Sequence, residues 1–118
     1  MLKKCLLFLM LFSVLPICAG ELENAFNKRD NVFLYLYTPN CGYCTKFTPR
    51  YNKLSKMYDS KFAFVKIDAS TNYGITLARK YRAGFVPYVM LLNKNKSQFV
   101  SPSCLSDNVC VENAIKKF

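Results

Sequence analysis

Cys41 and Cys44 are the residues of this chain best placed to do chemistry. Two thiols at this spacing can close a small disulfide ring, or one can attack while the other resolves. They follow an apolar run, Val32-Phe33-Leu34-Tyr35-Leu36-Tyr37, and the turn-forming Thr38-Pro39-Asn40. An amphipathic stretch comes after them. Cys41 is therefore predicted at or just before a helix N-terminus, where unpaired N–H groups and the helix dipole favour a thiolate. Cys44 lies one helical turn further on, within reach of its neighbour.

The other four cysteines divide into two kinds. Cys5 and Cys18 fall in a segment with the features of a secretory signal: Lys3 and Lys4, an apolar stretch from Cys5 to Ile17, and the small residues Cys18-Ala19-Gly20. Residues 1–20 are read as that signal and residues 21–118 as one domain. The apolar stretch is too short, and too interrupted by Pro16, for a membrane span, so the mature form is expected not to be embedded. Leu15-Pro16-Ile17-Cys18 also has the outline of a lipobox, with Ile17 where a small residue belongs; acylation at Cys18 is the lesser alternative to simple cleavage.

Removal of the signal leaves Cys41, Cys44, Cys104 and Cys110. An even number in an exported chain suggests disulfides. Cys104 and Cys110 flank a loop, Leu105 to Val109, that lets them bridge each other at the start of the last helix. That bridge is expected to be structural; a second redox pair exchanging with Cys41 and Cys44 is the alternative. Four cysteines are also compatible with a zinc module, the weaker reading in an oxidising compartment.

The chain contains no histidine, which excludes His-based acid–base chemistry, a Cys–His protease pair and His-ligated metals. Thr45 follows Cys44, so the c-type haem motif is absent too. No metal or cofactor is expected. The net charge is +10, or +8 once Lys3 and Lys4 are set aside. The basic residues are scattered, no nucleic-acid motif is present, and the charge reads as a lysine-rich surface.

The elements that must position the dithiol can be read from periodicity. Leu22, Ala25 and Phe26 predict a short helix over 21–29, and the apolar run predicts a strand over 32–37. From Cys41 to Tyr58, Phe47, Tyr51, Leu54 and Tyr58 share one helical face, with a kink expected at Pro49. Strands are predicted over 62–67 and 86–92, with a helix from Thr71 to Tyr81 between them. Asn93 to Lys96 reads as a hairpin turn into a strand over 97–100. A last helix runs from Asp107 to Lys117, capped by Ser106 or Asp107. The first two strands, joined through a helix, suit parallel pairing, and the last two form a hairpin.

Four of these features together resemble the thioredoxin superfamily. They are the CxxC between strand and helix, Pro49 five residues after Cys44, Val65-Lys66-Ile67-Asp68 as the next strand, and Val86-Pro87 before an apolar strand and hairpin. The resemblance covers nearly all of residues 24–118 and implies an α/β thioredoxin fold: a central mixed four-stranded sheet flanked by helices. It further implies that Cys41 is the exposed nucleophile and Cys44 the buried resolving thiol. Pro87 would be cis, and Val86 would hydrogen-bond an extended substrate segment. The implied function is reduction or isomerisation of protein disulfides through a mixed disulfide. The implied partners are protein substrates and a redox partner protein. A periplasm-like compartment and a monomer are expected.

The subtype signals conflict. Gly42-Tyr43 resembles the dipeptide of bacterial Dsb-type isomerases, whereas Val86 before the proline looks more like the dithiol oxidases. Tyr43 is grouped with Val86 and Pro87 as substrate-binding. Tyr35 and Phe64 stand where thioredoxins have a buried Asp and a Lys, which removes the usual proton acceptor for the resolving thiol. A non-catalytic binding or assembly subunit on the same scaffold, with both cysteine pairs as structural bridges, is the competing class.

Overall fold

Strand β1, Asn31–Tyr37, is buried through its five central residues because it has a strand on either side and helices above and below. A strand covered on both faces reads as an unbroken apolar run. The computed structural model describes residues 20–118. The expected signal, apart from Gly20, lies outside the described residues together with Cys5 and Cys18.

Before β1 comes helix α1, Glu21–Lys28. After it come α2, Gly42–Met57; β2, Phe62–Asp68; α3, Asn72–Lys80; and the hairpin strands β3, Tyr88–Leu92, and β4, Ser97–Val100. A four-residue helix α4, Pro102–Leu105, and α5, Asn108–Lys117, complete the described chain. The sheet order is β2-β1-β3-β4. β1 pairs in parallel with β2 and antiparallel with β3, and β3 and β4 are antiparallel. This is the single-domain thioredoxin fold expected from the sequence.

Side-chain alternation divides the core into two layers. Phe33, Tyr35, Phe62, Val89 and Leu91 face α2 and α5, whose Phe47, Tyr51, Val111 and Ile115 close that layer. Val32, Leu34, Leu36, Val65 and Met90 face the opposite side, against Leu22 and Leu77 of α1 and α3. The layer under α2 is aromatic. Phe33 stacks on Phe64 at 4.8 Å, and Tyr35 meets Phe47 edge-on at 5.0 Å and Tyr51 at 5.1 Å. Full burial of a side chain such as Phe33 stabilises the fold by about 2 to 3 kcal/mol. These rings form the floor on which the start of α2 rests.

Pro49 lies inside α2, which continues to Met57. Its missing N–H leaves the Thr45 carbonyl without its usual helical donor. Gly74 is required by close approach: a Cβ there would collide with the Asp68 carbonyl and lie 2.7 Å from Ala69 Cα.

Two local features differ from the sequence expectation. β3 begins at Tyr88, not Val86, because Pro87 has no N–H for a ladder and the Val86 carbonyl faces Cys41 instead. The segment after β4, to which the sequence reading gave no element, forms a helical turn. Ser101 caps it by accepting the Cys104 N–H at 3.2 Å, and Pro102 occupies its first position.

Candidate active site

Cys41 is itself the N-cap of α2, in extended conformation with φ −93° and ψ 113°. Its Sγ accepts the Cys44 N–H at 3.0 Å, in the place usually held by a serine or aspartate oxygen. Its carbonyl starts the helix by accepting the Thr45 N–H at 3.1 Å. That N–H, in the first turn of a 16-residue helix, fixes the position of the sulfur. On its other side, the Cys41 thiol donates to the Val86 carbonyl at 3.7 Å. The Val86–Pro87 peptide bond is cis. Two elements distant in sequence thus meet at one half-buried sulfur.

Cys44 is 3 % exposed and, like Cys41, is a free thiol. Burial pushes its thiol up to about 11, and the hydrogen bond and charge of Cys41 push the same way. The Thr38 backbone N–H and the Tyr35 hydroxyl partly oppose this. Of the two thiols, one is open to a substrate and the other is held protonated behind it.

Beneath Cys44 lies Tyr35, with no exposed surface. Its hydroxyl donates to the Cys44 carbonyl at 3.1 Å and lies 3.1 Å from Thr48 Oγ1. Thr48 donates to the same carbonyl at 2.9 Å. Burial pushes the Tyr35 phenol up to about 12, so it remains a hydrogen-bond donor at neutral pH. No carboxylate is buried among the described residues. Phe64 belongs to the aromatic floor, stacked on Phe33.

Of the residues singled out from sequence, Cys41, Cys44, Val86 and Pro87 converge here. Tyr43 stands beside them, 75 % exposed. Cys104 and Cys110 are elsewhere, bonded to each other with Cα atoms 5.2 Å apart, and tie α4 to α5. Engaged in that bond, they offer no thiolates to a metal. Replacing both by alanine should lower stability by about 2 kcal/mol, from the loop-closure entropy of so short a ring, as read by urea denaturation. Among the described residues no cluster of three or more His, Cys, Asp or Glu could hold a metal ion, and no helix is long and apolar enough to cross a membrane.

Sequence reasoning missed Thr48 and the short helix α4. Thr48 stands four residues after Cys44, the spacing at which a helical hydroxyl reaches back to a carbonyl. Ser101-Pro102 is a recognisable helix start, cap followed by proline.

The thioredoxin family model matches residues 13–114. Protein disulfide-isomerase A4 of Mus musculus is 33 % identical over 81 residues, covering 66 % of this chain and 12 % of its own length. The chain thus spans only a small part of that relative. Thioredoxin 2 of Plasmodium falciparum is 30 % identical over 94 residues, covering 76 % of this chain and 58 % of its own. Among solved structures, the thioredoxin of Schistosoma mansoni superposes with a TM-score of 0.68 at 28 % identity, covering 84 % of this chain and 88 % of that one. With its matched span, its sheet order and its dithiol at the start of α2, the chain belongs to the thioredoxin family.

Proposed function

We propose that this protein is an exported thiol–disulfide oxidoreductase that reduces or isomerises protein disulfides through Cys41 and Cys44. The observation that carries this reading is the asymmetry of the pair. Cys41 Sγ is half-buried and accepts an N–H at 3.0 Å, whereas Cys44 is buried with its thiol pushed up to about 11.

In the forward direction the Cys41 thiolate attacks one sulfur of a substrate disulfide. The substrate S–S bond breaks, a mixed disulfide forms on Cys41, and the other substrate sulfur leaves as a thiolate. Cys44 then loses its proton and attacks Cys41 Sγ. The mixed disulfide breaks, the second substrate thiol departs, and Cys41 and Cys44 are left joined. Two electrons have passed from protein to substrate, and a redox partner protein must return them. The Val86 carbonyl, beside Cys41, would accept a hydrogen bond from the extended substrate backbone, as an added strand does. The Cys104–Cys110 bridge acts structurally. Tyr43 and Pro87 flank the bound segment.

An oxidising, periplasm-like compartment is supported by the signal-like residues 1–20 and by the Cys104–Cys110 bond. A monomer suffices, since both thiols belong to one chain.

The equilibrium potential of the Cys41–Cys44 couple against glutathione tests the direction. A value near about −270 mV is expected and marks a reductant; one near about −120 mV would mark a dithiol oxidase. A pair that does not equilibrate with glutathione at all would favour a non-catalytic scaffold.

A further inference from the structure

A groove of about 600 Å³ lies between three elements and is lined by Val86, whose carbonyl accepts the Cys41 thiol. The first turns of α2 contribute Tyr43, Lys46, Phe47 and Arg50; the segment before β3 contributes Phe85, Val86 and Pro87; α4 and Ser106 form the far wall. Its apolar part is unusually open, with Tyr43 75 % and Phe85 49 % exposed. Its charged part carries one sign only. Lys46 and Arg50 line it and no carboxylate does.

The carboxylates of the neighbouring helix lie outside this lining, Glu112 sharing a separate hollow with Arg50. Asp107 accepts the Val109 and Cys110 N–H groups, and Glu112 accepts the Tyr58 hydroxyl at 2.6 Å. Arg50 is oriented by donating to the Leu105 carbonyl at the end of α4, and the Lys46 ammonium lies 5.7 Å from the Tyr43 ring centroid. The two cations are therefore offered, without a counter-charge from the groove itself, to whatever lies there.

We infer that this groove selects an extended protein segment that carries an apolar and an acidic side chain close to the disulfide cysteine under attack. The apolar side chain would lie against Tyr43 and Phe85, and the carboxylate near Lys46 and Arg50. At 1.5 Å per helical residue, these cations stand roughly 8 and 14 Å along α2 from Cys41. An extended chain advances about 3.3 Å per residue, so the acidic residue falls about two to four positions from the substrate cysteine. This inference rests on the dithiol reading above and adds the substrate class.

The test uses the reduced full chain and three disulfide-linked peptides that differ only in Glu, Gln or Lys two to four positions on both sides of a Leu-flanked cysteine. Each exchange rate constant is divided by that of dithiothreitol with the same peptide, which removes the peptide's own reactivity. At low salt the Glu peptide should exchange about fivefold faster than the Gln peptide and the Lys peptide slowest, with the order collapsing near 0.5 M salt. Lys46→Glu should reverse the preference between the Glu and Lys peptides. Equal rates within about twofold for all three, with exchange otherwise brisk, would overturn the substrate class alone. No exchange with any peptide would overturn the dithiol reading, and this inference with it.

Discussion

Cys41→Ser is expected to lower disulfide-exchange turnover by more than about a thousandfold, because it removes the attacking atom and nothing nearby can replace it. The chain has no histidine, and the only other free thiol among the described residues is Cys44, which is buried. Cys44→Ser should behave differently. Attack by Cys41 survives, but the mixed disulfide has no internal resolver, so a covalent complex with the substrate accumulates while steady turnover falls by a similar factor. Mass spectrometry of the two variants after incubation with a disulfide-bonded protein checks both outcomes. A trapped adduct on Cys41 in the Cys44→Ser variant, and none in the Cys41→Ser variant, is the expected pair. The geometry behind this contrast is specific: the Cys44 N–H reaches Cys41 Sγ at 3.0 Å whatever side chain Cys44 carries. The serine variant therefore keeps the cap that holds the nucleophile.

Release of the mixed disulfide should accelerate steeply with pH. The reacting form of Cys44 is its thiolate, and burial pushes the thiol up to about 11 in the free dithiol. Below that value the thiolate fraction rises about tenfold per pH unit, so the resolving rate should climb with nearly that slope from pH 7 to 10. The sign follows directly: raising the value protects the proton, and alkali removes it. A flat profile over that range would mean that another step limits release. Tyr35→Phe sharpens the test. The Tyr35 hydroxyl, which donates to the Cys44 carbonyl, is the weakest of the influences on the Cys44 thiol and opposes its upward push, so its loss should slow release only slightly at neutral pH. Phenylalanine keeps the ring contacts with Phe47 and Tyr51, and Thr48 still satisfies the Cys44 carbonyl. The cost in stability should therefore be about 1 kcal/mol. Stopped-flow measurement of the second phase against pH separates the two effects.

Much of the scaffold was legible because it is built from local rules. The apolar run of β1 signals a strand covered on both faces, and the spacing of Phe47, Tyr51 and Leu54 gives the face that α2 buries. The cap at Asp107 follows from residue type alone. What the local pattern could not show depends on tertiary approach. Val86 and Pro87 were placed beside the dithiol only by the family resemblance; periodicity alone does not show that Val86 leaves the β3 ladder to face Cys41, because that requires two segments 45 residues apart to meet. Nor does it show that the Tyr35 hydroxyl finds Thr48, since a buried phenol has several directions to turn. The groove wall was missed for a different reason. Pro102–Leu105 is a helix of four residues, too short to show a period. Its cap and proline were visible; its place across the groove from α2 depends on the hairpin and on the bridge to α5.

The division of labour between the two thiols is the centre of the account, and alkylation tests it most directly. After mild reduction, iodoacetamide at pH 7 should label Cys41 at least about a hundredfold faster than Cys44, with site-resolved mass spectrometry following each sulfur. Equal and slow labelling of both cysteines would contradict the account and leave the pair as a structural bridge.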